Sequence, residues 1–244
     1  MLARADLHIH TVLSPCGDLD MSPRNIVRAA REKGLDIIGI ADHNCTRQAG
    51  VIQELGRENG LFVLAGAEVT TAEEAHCLAF FPTGEALERF QAFLDQHLPP
   101  IPNNPDKFGY QVAVNAEEEI VHEEPYLLIS ALDASIETVE QTVHGLGGIF
   151  IPAHIDKPAY SILSQLGFVP PNLTCDALEI SPRSSRERIT AEHPYLATYA
   201  FTTASDAHYV EDIGKVYTEL ILPDFSFEAI RQALRQGIPS TSKI

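Results

Sequence analysis

Five short stretches carry most of the side chains able to do chemistry: Asp6-Leu7-His8-Ile9-His10, Ala41-Asp42-His43-Asn44, Gly66-Ala67-Glu68-Val69, Pro152-Ala153-His154-Ile155-Asp156 and Ser205-Asp206-Ala207-His208. Side chains alternate along a strand, so Asp6, His8 and His10 share one face, and two imidazoles placed that way can hold one metal ion. Each of the other four stretches sets its acid or histidine just after a buried apolar run. In a parallel barrel those positions are the carboxyl ends of strands, the rim where barrel enzymes build their active sites. A single histidine or aspartate there is usually a turn residue or a cap. Five such placements, closed by Asp-x-His, exceed what capping explains. Neutral imidazole and carboxylate suit zinc, manganese or iron, and a carboxylate such as Glu68 can bridge two ions. A multinuclear metal site is the reading.

Such a rim requires strands and helices that alternate, and the sequence supplies them. Residues 5–9, 35–41, 61–67, 149–153, 177–180 and 200–204 read as strands, several of them apolar enough for burial on both faces. Ser22-Pro23 offers an N-cap and a first-turn proline for a helix with the stripe Ile26, Val27 and Ala30, stopped by Gly34. Val51, Ile52 and Leu55 mark a second helix before Gly60. Ile136, Val139, Val143 and Leu146 mark another before Gly147-Gly148. A last one carries Phe227, Ile230 and Leu234 between Ser226 and Gly237. Alternation of this kind implies parallel pairing with right-handed crossovers, and about seven repeats in 244 residues point to a barrel. Residues 98–105 are rich in proline and asparagine, and residues 111–121 surround Asn115-Ala116-Glu117. That region, about 99–125, reads as a loop and β-hairpin inserted into a single domain of residues 1–244.

Composition narrows the partners. The chain has 17 Lys+Arg against 34 Asp+Glu, a formal charge of −17, which opposes coating nucleic acid through phosphate contacts. A small anionic substrate stays compatible, because bound metals reverse the field locally. Hydrophobic residues make up 45% and charged residues 21%, which excludes intrinsic disorder. There is no apolar run of about 18 residues, so no membrane span is expected. The first residues lack the apolar core of a signal peptide. Cys16, Cys45, Cys77 and Cys175 are far apart and form no Cys-x-x-Cys pair, which favours a reducing cytoplasm. No Gly-x-Ser-x-Gly elbow, phosphate loop or dinucleotide fingerprint is present.

Taken together and in this order, the five motifs resemble the polymerase and histidinol phosphatase (PHP) family of metal-dependent phosphoesterases. The resemblance implies a distorted (β/α)7 barrel with up to three divalent metals (zinc, manganese or iron). It places His8, His10 and Asp206 on a first metal, with Glu68 bridging to a second. His154 would bind that second metal, and His43 and His208 a third. Asp42 would act on the catalytic side as an orienter of ligands. The second metal needs another imidazole, and His76 is the candidate. It opens an apolar run where the others close theirs, which works if residues 69–75 reverse the chain and set His76 beside Glu68. A solvated histidine after Glu73-Glu74 is the competing reading.

Position 16 departs from the family. Several members carry a histidine six residues after the second histidine of the first motif, and others an aspartate close by. Here Cys16 stands in Ser14-Pro15-Cys16-Gly17-Asp18. A thiolate is a competent ligand for zinc or iron and suits hard, oxygen-seeking ions less well. Asp18 in its place, a weak third site, or an inert cysteine are the alternatives. Arg183, just past a strand end, is expected to meet a phosphate, as a basic residue there often does in this family; Arg186, Arg188 and Lys157 are weaker choices. His97, His122, His144 and His193 read as structural or solvated.

The chemistry expected is hydrolysis of a phosphate ester of a small metabolite, nucleotide or short oligonucleotide by a metal-activated hydroxide. The acidic insertion (Glu117, Glu118, Glu119, Glu123, Glu124) would repel a long nucleic acid on its side. An amidohydrolase, whose barrel also starts with His-x-His, and a metal-bearing regulatory module without turnover are the two alternatives. Asp42-His43 and the Asp206/His208 pair suit a third metal, which disfavours the amidohydrolase.

Overall fold

Along the described residues, 1–236 of this computed structural model, the apolar runs and helical stripes become ten strands and eight α-helices. The strands are β1 (Leu2–Ile9), β2 (Ile37–His43), β3 (Phe62–Thr70), β4 (His76–Phe81), β5 (Val112–Val114), β6 (Ile120–Glu123), β7 (Ile149–Pro152), β8 (Leu178–Glu179), β9 (Phe201–Thr202) and β10 (Thr218–Ile221). The helices are α1 (Pro23–Glu32), α2 (Ala49–Glu58), α3 (Gly84–His97), α4 (Pro105–Phe108), α5 (Ile136–Gly145), α6 (Ile162–Leu166), α7 (Arg186–Glu192) and α8 (Phe227–Gln236). The helix stop expected at Gly237 lies outside the described residues.

Six strands form one curled sheet in the order β10-β1-β2-β3-β4-β7. β1, β2 and β3 pair in parallel, whereas β4 is antiparallel to both of its neighbours. The turn at 71–75 is too short for the dozen or more residues that a parallel crossover needs, so β4 must reverse, as the hairpin reading requires. Parallel pairing throughout is corrected at the other edge: β10, for which no strand is expected, runs antiparallel to β1. With β4 reversed, the carboxyl ends of β1, β2, β3 and β7 and the amino end of β4 share one rim. Every residue of β2 is buried, as befits a strand covered on both faces.

Beyond β7 the ladder thins. Asp176 N–H donates to Phe150 O and Ile155 N–H to Glu179 O, which carries β7 toward β8. β8 and β9 form a separate parallel pair. After β9, Ala207 forms a parallel bridge with Ile9 of β1 through His10 N–H to Ala207 O and Ala207 N–H to His8 O. The result is a mixed α/β fold around a curled sheet, with single backbone bonds where a barrel would have continuous ladders.

Leu7, Ile37, Leu64, Leu78, Phe80, Ile149 and Ile151 fill the concave side with α8. Ile26, Val27 and Ala30 of α1 and Ile52 of α2 bury against Ile38, Ile40 and Val63 on the other face. Each of the larger of these side chains (Val, Leu, Ile, Phe) contributes about 1.5–3 kcal/mol when fully buried. The segment read as an insertion forms the expected hairpin of β5 and β6. It leans on the loops after β1 and β2: Val112 and Val114 pack on Val12, and Gln48 bonds both the N–H and the C=O of Val114. Ser22 precedes α1 in extended conformation without capping it; its hydroxyl donates to Glu118 of the hairpin at 2.6 Å. No described helix is long and apolar enough to cross a membrane.

Candidate metal centre

The shared rim brings the motif residues together around one carboxylate. Glu68, near the end of β3 and 1% exposed, has Oε1 2.9 Å from His76 Nδ1, 3.2 Å from His154 Nε2 and 3.3 Å from His8 Nε2. Its Oε2 lies 3.1 Å from His43 Nδ1 and 3.5 Å from His10 Nε2. Asp206 Oδ1 stands 3.5 Å from His8 Nε2 and 3.4 Å from His10 Nε2. His76 therefore sits beside Glu68, buried, as the reversing turn predicts, and not in solvent.

Burial alone would raise the Glu68 carboxyl, but His76, His8, His154 and His43 hold it well below the usual range. Asp206 is likewise held low against its burial, chiefly by His8 and His10. Burial, with His208 and His43 nearby, pushes His10 well below the usual imidazole value. Four buried imidazole nitrogens have no hydrogen-bond partner: Nε2 of His8, Nε2 of His10, Nδ1 of His43 and Nδ1 of His154. An unsatisfied buried polar atom costs about 1–3 kcal/mol. Three of the four nitrogens, on His8, His10 and His43, face Glu68, and His154 meets the same carboxylate through its Nε2. Imidazoles gathered in this way around two carboxylates are a donor set for divalent cations, and the residues fit that group.

The opposite ring nitrogens are anchored. His8 Nδ1 donates to Glu179 at 3.1 Å, and the same carboxylate accepts His154 N–H. His10 Nδ1 donates to Ser14 Oγ at 3.0 Å, and Ser14 Oγ donates to Asp42 at 2.6 Å. His208 Nδ1 donates to Asp206 O at 2.8 Å. Each of these bonds fixes a tautomer with Nε2 free to coordinate. Both Asp42 oxygens are taken by Thr11 and Ser14, so Asp42 acts on the site through the loop after β1 and through His10. Asp6 plays the same part for the Asp206 loop, accepting from Ser205 and Gly214 N–H, and its burial pushes its carboxyl up to about 6. Glu179 is the residue that sequence reasoning missed. It ends β8, so the strand-end rule that finds Glu68 applies to it equally.

Cys16 belongs to a second corner. One ligand atom from each of His10, Cys16, His43 and His208 lies within 4.8 Å of all the others. Cys16 is exposed at the mouth of this corner; the desolvation it does meet would raise its thiol, but hydrogen bonds with His208 and His43 lower it to about 7. Asp18 is committed elsewhere, accepting from Asp20 N–H at 2.9 Å. The backbone is strained where it delivers ligands: Asn44, His154 and Asp206 adopt φ of 45°, 30° and 52°. Such conformations cost about 1–3 kcal/mol each and persist where surrounding contacts over-determine them. Asn44 illustrates this, with its side chain bonded to Thr70, Leu128 and Ser130.

A cleft of about 720 Å³ opens from His154, Glu179 and Asp206 toward Arg183, Ser184 and Arg188. Lys157 pairs with Asp206 Oδ2, the oxygen turned away from the histidines. Arg183 is exposed on the cleft wall, and its guanidinium pairs with no acid among the described residues. Arg188 pairs with Glu192, and Arg186 donates to Ala197 O over the Phe201 ring. His97, His122 and His144 pair with Asp133, Glu124 and Glu140 away from the centre, while His193 lines the outer cleft.

Residues 6–145 match the PHP domain family, and residues 197–238 match the PHP-associated family. The uncharacterized protein YqxK of Bacillus subtilis is 27% identical over 95% of this chain and 61% of its own length. The lesion-specific endonuclease PfuEndoQ of Pyrococcus furiosus shares the fold, with a TM-score of 0.73 and 18% identity over 99% of this chain and 58% of its own. A Bifidobacterium adolescentis protein described as a metal-dependent phosphoesterase aligns with a TM-score of 0.57 and 23% identity over 96% of both chains. The chain thus spans about 60% of the length of the first two relatives.

Proposed function

The chain belongs to the PHP domain family, and we propose that its histidine-lined cleft hydrolyses phosphate esters of a small metabolite, a nucleotide or a short oligonucleotide. The observation that carries this reading is Glu68, a buried carboxylate among five imidazoles, four of which keep a buried nitrogen without a hydrogen bond. His8, His10 and Asp206 would hold one divalent ion, Glu68 would bridge to a second held by His76 and His154, and His43, His208 and Cys16 would hold a third. Such ions, when bound, supply activation of water at neutral pH and compensation of charge on the phosphoryl oxygens.

The chain's own side chains supply the rest. Arg183, uncommitted on the cleft wall, takes a phosphate oxygen. Lys157 fixes the outer oxygen of Asp206, and Glu179 and Asp42 orient His8 and His10. The cleft volume is that of a nucleotide-sized ligand, and the acidic hairpin beside the rim disfavours a long polyanion. The likeness to a lesion-specific endonuclease keeps short nucleic acid among the substrates. We read the curled sheet, continued through β8 and β9, as the distorted (β/α)7 barrel, formed as one domain in a reducing cytoplasm.

The test is metal-stripped protein reloaded with manganese or zinc and offered phosphomonoesters, phosphodiesters, short oligonucleotides and amides. Metal-dependent release of phosphate or cleavage of a diester is expected, lost in the His8→Ala/His10→Ala double variant while the circular-dichroism spectrum is kept. Turnover of amides alone would make it an amidohydrolase. Stoichiometric metal with no turnover of any class would make it a binding module. Full activity in the double variant would overturn the metal reading itself.

A further inference from the structure

The donor set around Glu68 and the donor set around Cys16 differ in kind. Around Glu68 every group of ligand atoms includes a carboxylate: His8, His10 and Glu68 form one, and His43, Glu68 and His76 another. The Cys16 corner contains three imidazoles and one sulfur and no carboxylate. The first kind suits manganese as well as zinc. With His10 serving the first ion, the second kind keeps His43, His208 and the soft Cys16 sulfur, which suits zinc or iron(II) and disfavours manganese and magnesium.

Two features show that this corner is built. The loop after β1 is locked by Ser14 N–H to Thr11 O and Gly17 N–H to Ser14 O, and zipped to the opposite loop by Asp18 N–H to His208 O. Gly17 is required there, because a Cβ would lie 2.2 Å from Thr11 O. The lock sets Cys16 across from His208 and leaves Asp18 turned back on its own turn. Independently, His10 Nε2 is a buried nitrogen without a hydrogen bond, and His43, whose Nδ1 lies 3.1 Å from Glu68, also hydrogen-bonds the Cys16 sulfur.

We propose that the cluster sorts its metals: the Cys16 corner selects a thiophilic ion, zinc or iron(II), while the Glu68 corner accepts manganese or zinc without strong preference. The inference rests on the reading that the cleft holds divalent ions, but not on what substrate it turns over. Segregation of this kind makes the number of bound ions depend on which metal is supplied. Manganese alone leaves the sulfur corner underfilled.

Cobalt(II) is the probe, added to metal-stripped wild type, Cys16→Ser and Cys16→His protein. Wild type should develop a near-ultraviolet thiolate-to-cobalt charge-transfer band that zinc removes and excess manganese does not. Cys16→Ser should lack the band and, after equilibrium dialysis, retain about one zinc fewer per chain than wild type. Its remaining affinity for that zinc should fall by more than the ~10–100-fold that loss of a ligand's hydrogen-bond partner costs. Cys16→His should recover the zinc count without the band. Cys45 and Cys77 are buried in the apolar core and Cys175 is partly buried, so loss of the band on changing Cys16 alone assigns the sulfur. No band in wild type, an unchanged zinc count in Cys16→Ser, or displacement of the band by manganese would each overturn the proposal. Absence of the band with phosphoesterase activity intact sinks the sorting but not the function. A band without turnover of any phosphate ester does the reverse.

Discussion

At the residue scale the centre depends on groups that never need to touch a metal. Glu179 is the clearest, since its carboxylate accepts from both His8 Nδ1 and the strained His154 N–H. A ligand histidine whose far nitrogen donates to a carboxylate is a stronger base and keeps one orientation. Glu179→Gln keeps the shape and an acceptor but removes the charge. Affinity for the most tightly bound ion should fall by ~10–100-fold, measured by competition with a chelator. At saturating metal, kcat should recover to within a few-fold. A kcat loss that saturating metal does not repair would mean that Glu179 touches the reacting groups. The histidines and acids themselves were legible in the sequence because all but His76, which opens β4, stand in or just after an apolar run. Glu179 ends one too, but it stands in Glu179-Ile180-Ser181-Pro182, where the arginine that follows draws the functional reading.

At the element scale, the reversal of β4 decides whether the second-metal set can exist. Seven residues separate Glu68 from His76, and only an antiparallel pair returns the chain to the same rim. The pair is unusually close. A Cβ at Gly66 would lie 1.9 Å from Ala79 O and 2.7 Å from the Phe80 ring, so any side chain there forces β3 and β4 apart. Gly66→Ala should lose about 1–3 kcal/mol in denaturant unfolding, the cost of overpacking, and should weaken metal binding at the same time. Stability lost with metal affinity unchanged would show that the rim tolerates strand separation. Other elements were less legible for physical reasons. β10 has four residues, half of them not fully buried, and carries neither an apolar run nor a motif, whereas the still shorter β8 and β9 fall within the apolar runs read at 177–180 and 200–204. Helix α3 does carry a Thr83 cap and the stripe Ala86, Phe90 and Leu94, yet no chemistry depends on it. Closure after β7 rests on isolated backbone bonds that no periodicity encodes.

At the scale of the whole molecule, the two rims divide their labour. Ligands and strain gather at the carboxyl ends of the strands. The amino ends carry a different network, in which His144 at the end of α5 donates to Glu140 at 2.6 Å and to Asp176 at 3.0 Å. Asp176 also accepts Phe150 N–H from β7 and pairs with Arg235 of α8 at 2.5 Å, so one buried carboxylate ties two helices to the sheet. The Asp176 hydrogen bond raises His144 above its ordinary value. Asp176 is held below the usual carboxylate range, because His144, Phe150 N–H and Arg235 outweigh its burial. A raised histidine contributes its full stability below its unfolded pKa of about 6.5 and loses it as pH climbs through the folded value. A lowered aspartate contributes above its unfolded pKa of about 3.9 and loses it as pH falls. The pair is therefore worth most between about pH 4 and 6.5. His144→Gln should lower the melting temperature most near pH 5.5, where a hydrogen bond to a charged group is worth about 1.5–3 kcal/mol. At ~2–4 °C per kcal/mol for a chain this size, the deficit is several degrees, and it should shrink steadily toward pH 9. Because the network lies on the rim opposite the metal ligands, kcat below the melting transition should not change. A deficit that is flat across this range, or that grows with pH, would mean that His144 is held there as a neutral side chain.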